Sequence, residues 1–180
     1  MIPTTKTATF PTTLEEFERW EPNDGYKYEW NDGELIKFTG MKRKHLRIIQ
    51  ILNLLFDTTQ AKKQKALLLC EQDVMLTGIQ MRRPDMAFFT DEQINSESDE
   101  PIPEFCIEII SSNDQINDVK KKIKEYFEHG VRVVWVVLPE EDMVEVYTSV
   151  KDVTICLEQD ICSAEPVLND FKISVDDLLK

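Results

Sequence analysis

The sequence predicts an α/β fold in which helices flank a mixed central β-sheet, with a short helix and a β-hairpin added at the N-terminus. Three observations predict it. Two apolar runs, residues 105–110 and 131–138, have the composition of buried strands. A segment with the 3.6-residue periodicity of a helix separates them. Near the N-terminus, two aromatic-rich runs flank Asn31-Asp32-Gly33, which is a strong hairpin signal.

The segment before residue 105 predicts both helices and strands. Thr13 can cap a short helix that turns Phe17 and Trp20 inward, and the hairpin follows this helix. The apolar spacing then favours one long helix over 42–62. The other predicted elements are an extended arm at 1–12, one broken strand or two strands over 66–76, a strand over 83–89 and an acidic polar loop over 90–103.

The segment after residue 105 predicts a strand, a helix and a second strand. Asn113 or Asp114 can cap the helix, which ends near Gly130. A right-handed crossover over 105–138 would place the two strands parallel and side by side. Later predicted elements are strands at 143–147 and 154–157 and a short helix from Ser174. We expect residues 13–180 to form one domain.

The composition argues against several classes of protein. The 180 residues carry a formal net charge of -13, which is opposite to the charge of a histone-like or polybasic membrane-surface protein. No apolar run approaches the roughly 18 residues that cross a bilayer, and the N-terminus lacks the apolar segment of a secretion signal. We therefore expect a cytoplasmic protein with no membrane partner. Its four cysteines should be buried, reduced thiols, with no zinc and no disulfide.

Positive charge is concentrated in the middle of the chain. Residues 42–130 carry 15 acidic and 13 basic side chains, so any phosphate-binding surface should lie there. The alternative is that these cations are ordinary solvated surface. The candidates for phosphate contacts are Lys42, Arg43, Lys44, Arg47, Arg82 and Arg83, together with Lys62, Lys63, Lys65 and the basic cluster at 120–124.

Two carboxylates stand inside apolar strand-like segments, where a charge needs a partner, a metal ion or a shifted pKa. They are Asp85 in RRPDMAFF and Glu108 in FCIEII. Taken singly, Asp85 could pair with a neighbouring arginine and Glu108 could reach solvent at a strand end. Taken together, they could converge on one hard cation, because Mg²⁺ commonly takes one or two protein carboxylates with waters and phosphate oxygens.

A basic helix follows Glu108. Its apolar positions define a core face, and Lys121 points almost opposite that face. Lys120 and Lys122 lie on the two flanks, and either stem could run along the core and carry its ammonium over the sheet edge. The alternative is a solvated basic face. The predicted core positions are Ile116, Val119, Ile123, Tyr126 and Phe127.

The ordered motifs YEWNDGELI, KRKHLRIIQ, RRPDMAFF, CIEIISSND and DVKKKIKEYFEHGVRVVWVVLP resemble the Uma-type "putative restriction endonuclease" family, also catalogued as a domain of unknown function. The resemblance runs from about Leu14 to Tyr147. That family belongs to the PD-(D/E)XK nuclease superfamily, so the resemblance implies a restriction-endonuclease-like fold for the domain. In the superfamily, a Pro-Asp pair and a Glu two residues before a Lys bind Mg²⁺ and position water.

The resemblance assigns Pro84-Asp85 and Glu108 as the metal-binding pair, and the sequence departs from the superfamily at the lysine. The position two after Glu108 is Ile110. Aligning the following helix with the family pattern moves the catalytic lysine to Lys122, whereas periodicity alone allows Lys120 equally. The resemblance also implies accessory roles for Glu29, Glu34 and His45; solvent-facing hairpin positions and a first-turn helix residue are the alternatives.

The implied activity is metal-dependent hydrolysis of phosphodiester bonds in nucleic acid, with DNA as the expected partner and Mg²⁺ or Mn²⁺ as the cofactor. Asp85, Glu108 and Lys122 would be catalytic. The competing hypothesis is a catalytically inactive nuclease fold that serves as an interaction module, which the missing lysine and the net charge of -13 favour. A homodimer is expected because many duplex-cleaving nucleases pair two sites and twofold assemblies are common.

Overall fold

The computed structural model describes residues 10–22, 26–38, 43–96, 101–111 and 115–180, without the side chains of Lys27 and Phe38. Most of the arm predicted at 1–12 therefore lies outside the described residues. The helices are α1 (Leu14–Glu18), α2 (Arg43–Phe56), α3 (Gln60–Lys63), α4 (Asp91–Ile94), α5 (Ile116–Glu128) and α6 (Val175–Leu179).

Twelve strands are described, and they form three sheets. The strands are β1 (Lys27–Asn31), β2 (Glu34–Phe38), β3 (Leu67–Cys70), β4 (Val74–Thr77), β5 (Gln80–Arg82), β6 (Met86–Phe89), β7 (Phe105–Ile109), β8 (Val133–Leu138), β9 (Met143–Tyr147), β10 (Val153–Leu157), β11 (Ile161–Ala164) and β12 (Leu168–Ser174).

The central sheet has six strands in the order β10-β9-β8-β7-β6-β3. Strands β7 and β8 run parallel, with α5 between them in the chain, and the other neighbouring pairs are antiparallel. All five residues of β7 are buried. This confirms the predicted mixed sheet with a parallel pair at its centre, and it explains the unbroken apolar runs, because both faces of these strands are covered.

Helices cover the two faces of the central sheet. On one face, α2 contributes Ile48 and Leu52 to the larger core cluster. On the other, α5 contributes Val119, Ile123 and Tyr126 to a second cluster. The first residue of α5, Ile116, is 62% exposed, so its predicted place in the core was wrong. The caps predicted at 113 and 114 lie outside the described residues.

The single helix predicted over 42–62 is two helices. Helix α2 ends at Phe56, and Thr59 begins α3 by accepting a hydrogen bond from the Lys62 amide. The Thr59 hydroxyl and the Thr59 amide both donate to the Phe56 carbonyl, which closes the end of α2. The apolar pattern ends at Phe56, and the capping threonine that follows is the signal that the prediction overlooked.

The hairpin belongs to a four-stranded sheet in the order β2-β1-β5-β4. Its turn requires positive φ at Asp32 (50°) and Gly33 (89°), as the sequence predicts. The strand predicted over 83–89 is present as β6, but it begins three residues later, at Met86. The chain passes from β5 in this sheet to β6 in the central sheet, and Pro84 lies between them where its missing amide costs no ladder hydrogen bond.

The C-terminal third contains more structure than its acidic sequence predicts. Strands β11 and β12 form a separate two-stranded sheet, and Ser174 caps α6 as expected. The polar loop predicted over 90–103 contains α4, which Thr90 and Gln93 close with a capping box. All four cysteines are free, but Cys70 is exposed rather than buried. In the described part of the chain, no helix has the length and apolar character of a membrane span.

Candidate active site

The two predicted carboxylates lie side by side at one end of the neighbouring strands β6 and β7. In the antiparallel β6–β7 pair, Met86 stands opposite Ile107. Asp85 immediately precedes Met86, and Glu108 immediately follows Ile107, so the register brings these two residues together. Asp85 Oδ2 accepts a hydrogen bond from the Ile109 amide at 2.7 Å, which anchors the carboxylate to the end of β7.

Glu108 is 5% exposed and has two hydrogen-bond donors from α5. The Tyr126 hydroxyl lies 2.7 Å from Oε1, and the Lys122 ammonium lies 3.4 Å from Oε2. Burial raises the pKa of Glu108 to about 7; the charge of Lys122 opposes this shift and the charge of Asp85 adds to it. A carboxyl group that gains or loses its proton near neutral pH is typical of functional sites.

Lys122 enters the site from the flank of α5, and its side chain is 10% exposed. Its ammonium lies 2.7 Å from Glu29 Oε1 in addition to the contact with Glu108. Burial opposes the charge, but Glu108 and Glu29 outweigh it and raise the pKa of Lys122 above its ordinary value, so the ammonium stays protonated. Lys120, in contrast, is exposed on the helix surface. Burial therefore distinguishes the two lysines that periodicity alone allows equally.

Glu29 reaches the site from β1 and joins it to a second group of buried charges. Its Oε2 lies 3.5 Å from Arg82 Nη1, and the rest of that guanidinium binds Glu125 through Nε (2.8 Å) and Nη2 (2.6 Å). Arg82 is only 2% exposed. The phosphate contact predicted for Arg82 is therefore wrong, because its charge is enclosed by carboxylates. We call Arg82 and Glu125 the closed pair.

His45 lies in the first turn of α2 beside Asp85. Its Nε2 is 3.0 Å from Asp85 Oδ1. The ring is not aligned for a hydrogen bond, so among the described atoms Nε2 is a buried nitrogen without a hydrogen-bond partner. An unpaired buried nitrogen next to a carboxylate is costly unless a ligand or water completes it. We call Asp85, Glu108, Lys122 and His45 the open cluster.

The other predicted site residues lie elsewhere. Glu34 is exposed at the start of β2 and faces Asn31 across the hairpin, so it does not reach the open cluster. Sequence reasoning also missed two members of the network. Tyr126 was expected only as a core residue, and Glu125 was not singled out; the signal for Glu125 is an acidic residue at the edge of a buried helix face.

Several of the remaining phosphate candidates that the structure describes already have acceptors. The Lys44 ammonium donates to the Pro139 carbonyl. Arg47 donates to the Lys180 carbonyl at 2.7 Å. Arg83 forms a two-point pair with Asp73 at 2.6 and 3.0 Å. Arg43 is exposed, and Lys42 lies outside the described residues. The further cations at Lys62, Lys63 and Lys65 are also exposed.

The donor set fits a hard divalent cation. Among the described side chains, no group of three or more His, Cys, Asp and Glu is arranged to hold a metal ion. Mg²⁺ does not require such a group, since it usually keeps several waters and binds one or two carboxylates. Asp85 and Glu108 supply that number, and the unpaired His45 Nε2 beside them is the observation that a ligand would satisfy. Asp85 and Glu108 would hold the ion.

Comparisons with known proteins identify the fold and the family of the chain. No curated protein matches the chain. A solved structure from Anabaena variabilis, titled as a "putative nuclease belonging to DUF820", matches with a TM-score of 0.80 at 22% identity, over 94% of this chain and 98% of that one. At this identity the match shows the shared fold. The model of the Uma2 family, described as "Putative restriction endonuclease", matches residues 14–176. The chain therefore belongs to the Uma2 family.

Proposed function

We propose that the protein hydrolyses phosphodiester bonds in DNA with the help of Mg²⁺ or Mn²⁺. One observation carries the proposal. A buried, protonated lysine from α5 lies 3.4 Å from a buried strand carboxylate, with a second carboxylate beside it at the adjoining strand end. Two carboxylates and one ammonium are the groups that bind a divalent cation and a phosphate anion together.

In this mechanism Asp85 and Glu108 are the cation ligands. The bound ion would polarise the scissile phosphate and lower the pKa of a water molecule at the site. The Ile109 amide and the Tyr126 hydroxyl hold the two carboxylates in place. Lys122 would donate to a non-bridging phosphate oxygen, where negative charge accumulates in the transition state.

Glu29 acts as a positioning residue in the same proposal. Its contact with the Lys122 ammonium at 2.7 Å holds the lysine beside Glu108. His45, with its Nε2 3.0 Å from Asp85, would accept or donate a hydrogen bond to a bound ligand. A lysine from α5 would therefore do the work of the superfamily lysine, whose position in the strand is taken by Ile110 in this chain.

The proposed partner is nucleic acid, and the exposed cations of the middle segment would contact its phosphates. Because the whole chain has a net charge of -13, we expect weak binding that falls steeply as salt is added. A cytoplasmic location and a homodimer remain predictions from the sequence. Sedimentation of the purified chain at several concentrations would test the dimer.

Plasmid cleavage in Mn²⁺ tests the lysine assignment. Lys122→Ala should lower the rate by about 10²- to 10³-fold, which is the usual cost of losing one donor to transition-state charge. Lys120→Ala is the matched control, because this lysine lies on the same helix but is exposed; it should cut at the wild-type rate. Circular dichroism should show that both variants fold. Equal rates for the two variants would show that Lys122 has no part in cleavage.

Calorimetric titration with Mn²⁺ tests the metal site separately from cleavage. Wild-type protein should bind the ion, and Asp85→Ala should lose that binding because one of two carboxylate ligands is gone. If neither protein binds the ion and neither cuts DNA, the chain is an inactive nuclease fold, and the interaction-module hypothesis replaces this proposal.

A further inference from the structure

A second candidate binding surface lies at the outer edge of the central sheet, on β10. Among the described strands, β10 is the last in the order β10-β9-β8-β7-β6-β3, so no described strand pairs with its outer edge. Side chains alternate along a strand, so Val153, Ile155 and Leu157 point to the same face of the sheet. They are 44%, 55% and 46% exposed. We call these three residues the apolar edge.

Helix α5 packs on this face of the sheet but does not cover the apolar edge. The strand register aligns Val153 with Tyr147 on β9 and with Val134 on β8, and Val134 belongs to the core cluster that includes α5. The apolar edge lies two strands further out. Five of the twelve large apolar side chains that are exposed in the described part of the chain lie within 150–161. Such a concentration is typical of an interaction surface.

The backbone of β10 adds hydrogen-bonding groups to this edge. The Leu157 amide donates to Asp160 Oδ2 at 3.0 Å, and the Leu157 carbonyl accepts from the Asp160 amide at 2.8 Å, so both bind the following turn rather than β9. In an antiparallel pair, residues alternate between positions bonded to the neighbouring strand and positions that point away from it. Val153 and Ile155 belong to the same alternate set as Leu157, so their amides and carbonyls point away from β9. Another extended chain could pair with these groups.

Strand β10 has none of the features that usually prevent the addition of a strand. Exposed edge strands commonly carry a charged side chain, a proline or a bulge. The five residues of β10 include no charge and no proline, and their register with β9 is regular. On the opposite edge strand, β3, the three leucines are buried or half-buried. The two edges of the central sheet therefore differ, and β10 is the one suited to receive a strand.

The charges around the apolar edge favour a cationic partner. Residues 140–161, which include β9, β10 and the turns that flank them, carry seven acidic side chains and one basic side chain. One of the seven, Asp142, lies 4.0 Å from the Lys44 ammonium. A second copy of the chain would bring the same excess of negative charge to the edge and would be repelled. A strand with basic side chains would be attracted.

We propose that β10 binds an extended segment of another protein in which apolar and basic side chains alternate. The segment adds a strand to the central sheet, with its apolar side chains beside Val153 and Ile155 and its basic side chains near the surrounding carboxylates. The inference goes beyond the proposed function and does not depend on it, because β8 and β9 separate β10 from the strand that carries Glu108.

Calorimetric titration of the full chain with synthetic peptides tests the inference. The probe is the peptide Lys-Val-Lys-Ile-Lys-Val-Lys with both ends blocked. It should bind at low salt, and added salt should weaken the binding because part of the attraction is electrostatic. The same peptide with glutamate in place of lysine should not bind, because it meets like charges. A version with a methyl group on every backbone nitrogen keeps the charges but cannot donate to β10, so its affinity should fall at least about tenfold.

Two exposed isoleucines provide matched variants. Ile155→Lys places a positive charge in the apolar edge and should weaken binding of the basic peptide at least about tenfold. Ile79 lies between β4 and β5 and is 61% exposed, so Ile79→Lys should leave the affinity unchanged. No binding of the basic peptide, equal binding of its methylated version, or equal losses in the two variants would each overturn the inference. Sedimentation that finds a dimer in the wild type and a monomer in Ile155→Lys would also overturn it, because the edge would then hold a second copy.

Discussion

The closed pair and the open cluster are two ends of one buried charge network joined through Glu29, yet they differ in how fully their charges are satisfied. The guanidinium of Arg82 has two contacts with Glu125 of 2.6 and 2.8 Å and a third with Glu29. At the other end, the Lys122 ammonium lies 2.7 Å from Glu29 and 3.4 Å from Glu108, but among the described atoms the Nε2 of His45 has no hydrogen bond. A set of ions that satisfies itself supports structure, whereas one that is left incomplete can bind a ligand.

Of three tests of this contrast, removing the guanidinium of Arg82 should change the free energy of unfolding most. Arg82→Met leaves Glu125 buried without its partner, and breaking a buried pair from one side typically costs about 3–5 kcal/mol. We expect the free energy of unfolding, measured by urea titration, to fall by that amount. A loss below about 1 kcal/mol would mean that water already reaches Glu125.

The open cluster should instead show itself as a dependence on pH. The pKa of Glu108 is raised from 4.5 to about 7, so the folded protein holds this proton more tightly than the unfolded chain does. The stabilisation is fully present below pH 4.5 and is lost as the pH rises through about 7. We expect the unfolding free energy of the metal-free wild type to fall relative to Glu108→Gln over this window, by at most about 3 kcal/mol.

Denaturant titrations of both proteins at intervals from pH 4 to pH 8 would measure this difference. Comparison with Glu108→Gln removes the contributions of carboxylates that lie away from Glu108, because their surroundings are the same in the two proteins. If the difference in unfolding free energy between the two proteins is the same at every pH, the pKa of Glu108 is not raised in the folded protein.

The smallest effect is expected at the neighbouring arginine. Arg83 also binds a carboxylate at two points, but its side chain is 29% exposed and that of Asp73 is 42% exposed. Pairs of this kind contribute about 0–1 kcal/mol. Arg83→Met should therefore change the urea midpoint little, in contrast to Arg82→Met one residue earlier. Equal losses for the two variants would remove the distinction between buried and exposed pairs.

The sequence predicted the centre of the molecule better than its edges. The buried runs that became β7 and β8, the helix between them and the hairpin turn all have strong local signals, and each is confirmed. The strand-to-strand passage at Pro84 and the break before Thr59 were missed. After Phe56 the apolar pattern ends and Thr59 starts a new helix, whereas at Pro84 the chain passes from one sheet to another, which depends on tertiary contacts.

The candidate site divides in the same way. A carboxylate inside an apolar run is visible in the sequence, so Asp85 and Glu108 could be singled out. Periodicity reduced the lysine to Lys120 or Lys122, and the family resemblance chose Lys122, the one that the structure buries. The pairing of Arg82 could not be predicted, because its partner Glu125 is 43 residues away on another element.

The position of Lys122 has a consequence for finding related chains. The lysine that contacts Glu108 lies fourteen positions later in the chain, and the helix after the strand, rather than strand alternation, brings the two together. Any pattern that asks for an acid and a lysine separated by one residue will pass over a protein built this way. A better criterion is a carboxylate in a fully apolar strand, followed one helix later by a lysine at the border of the apolar stripe.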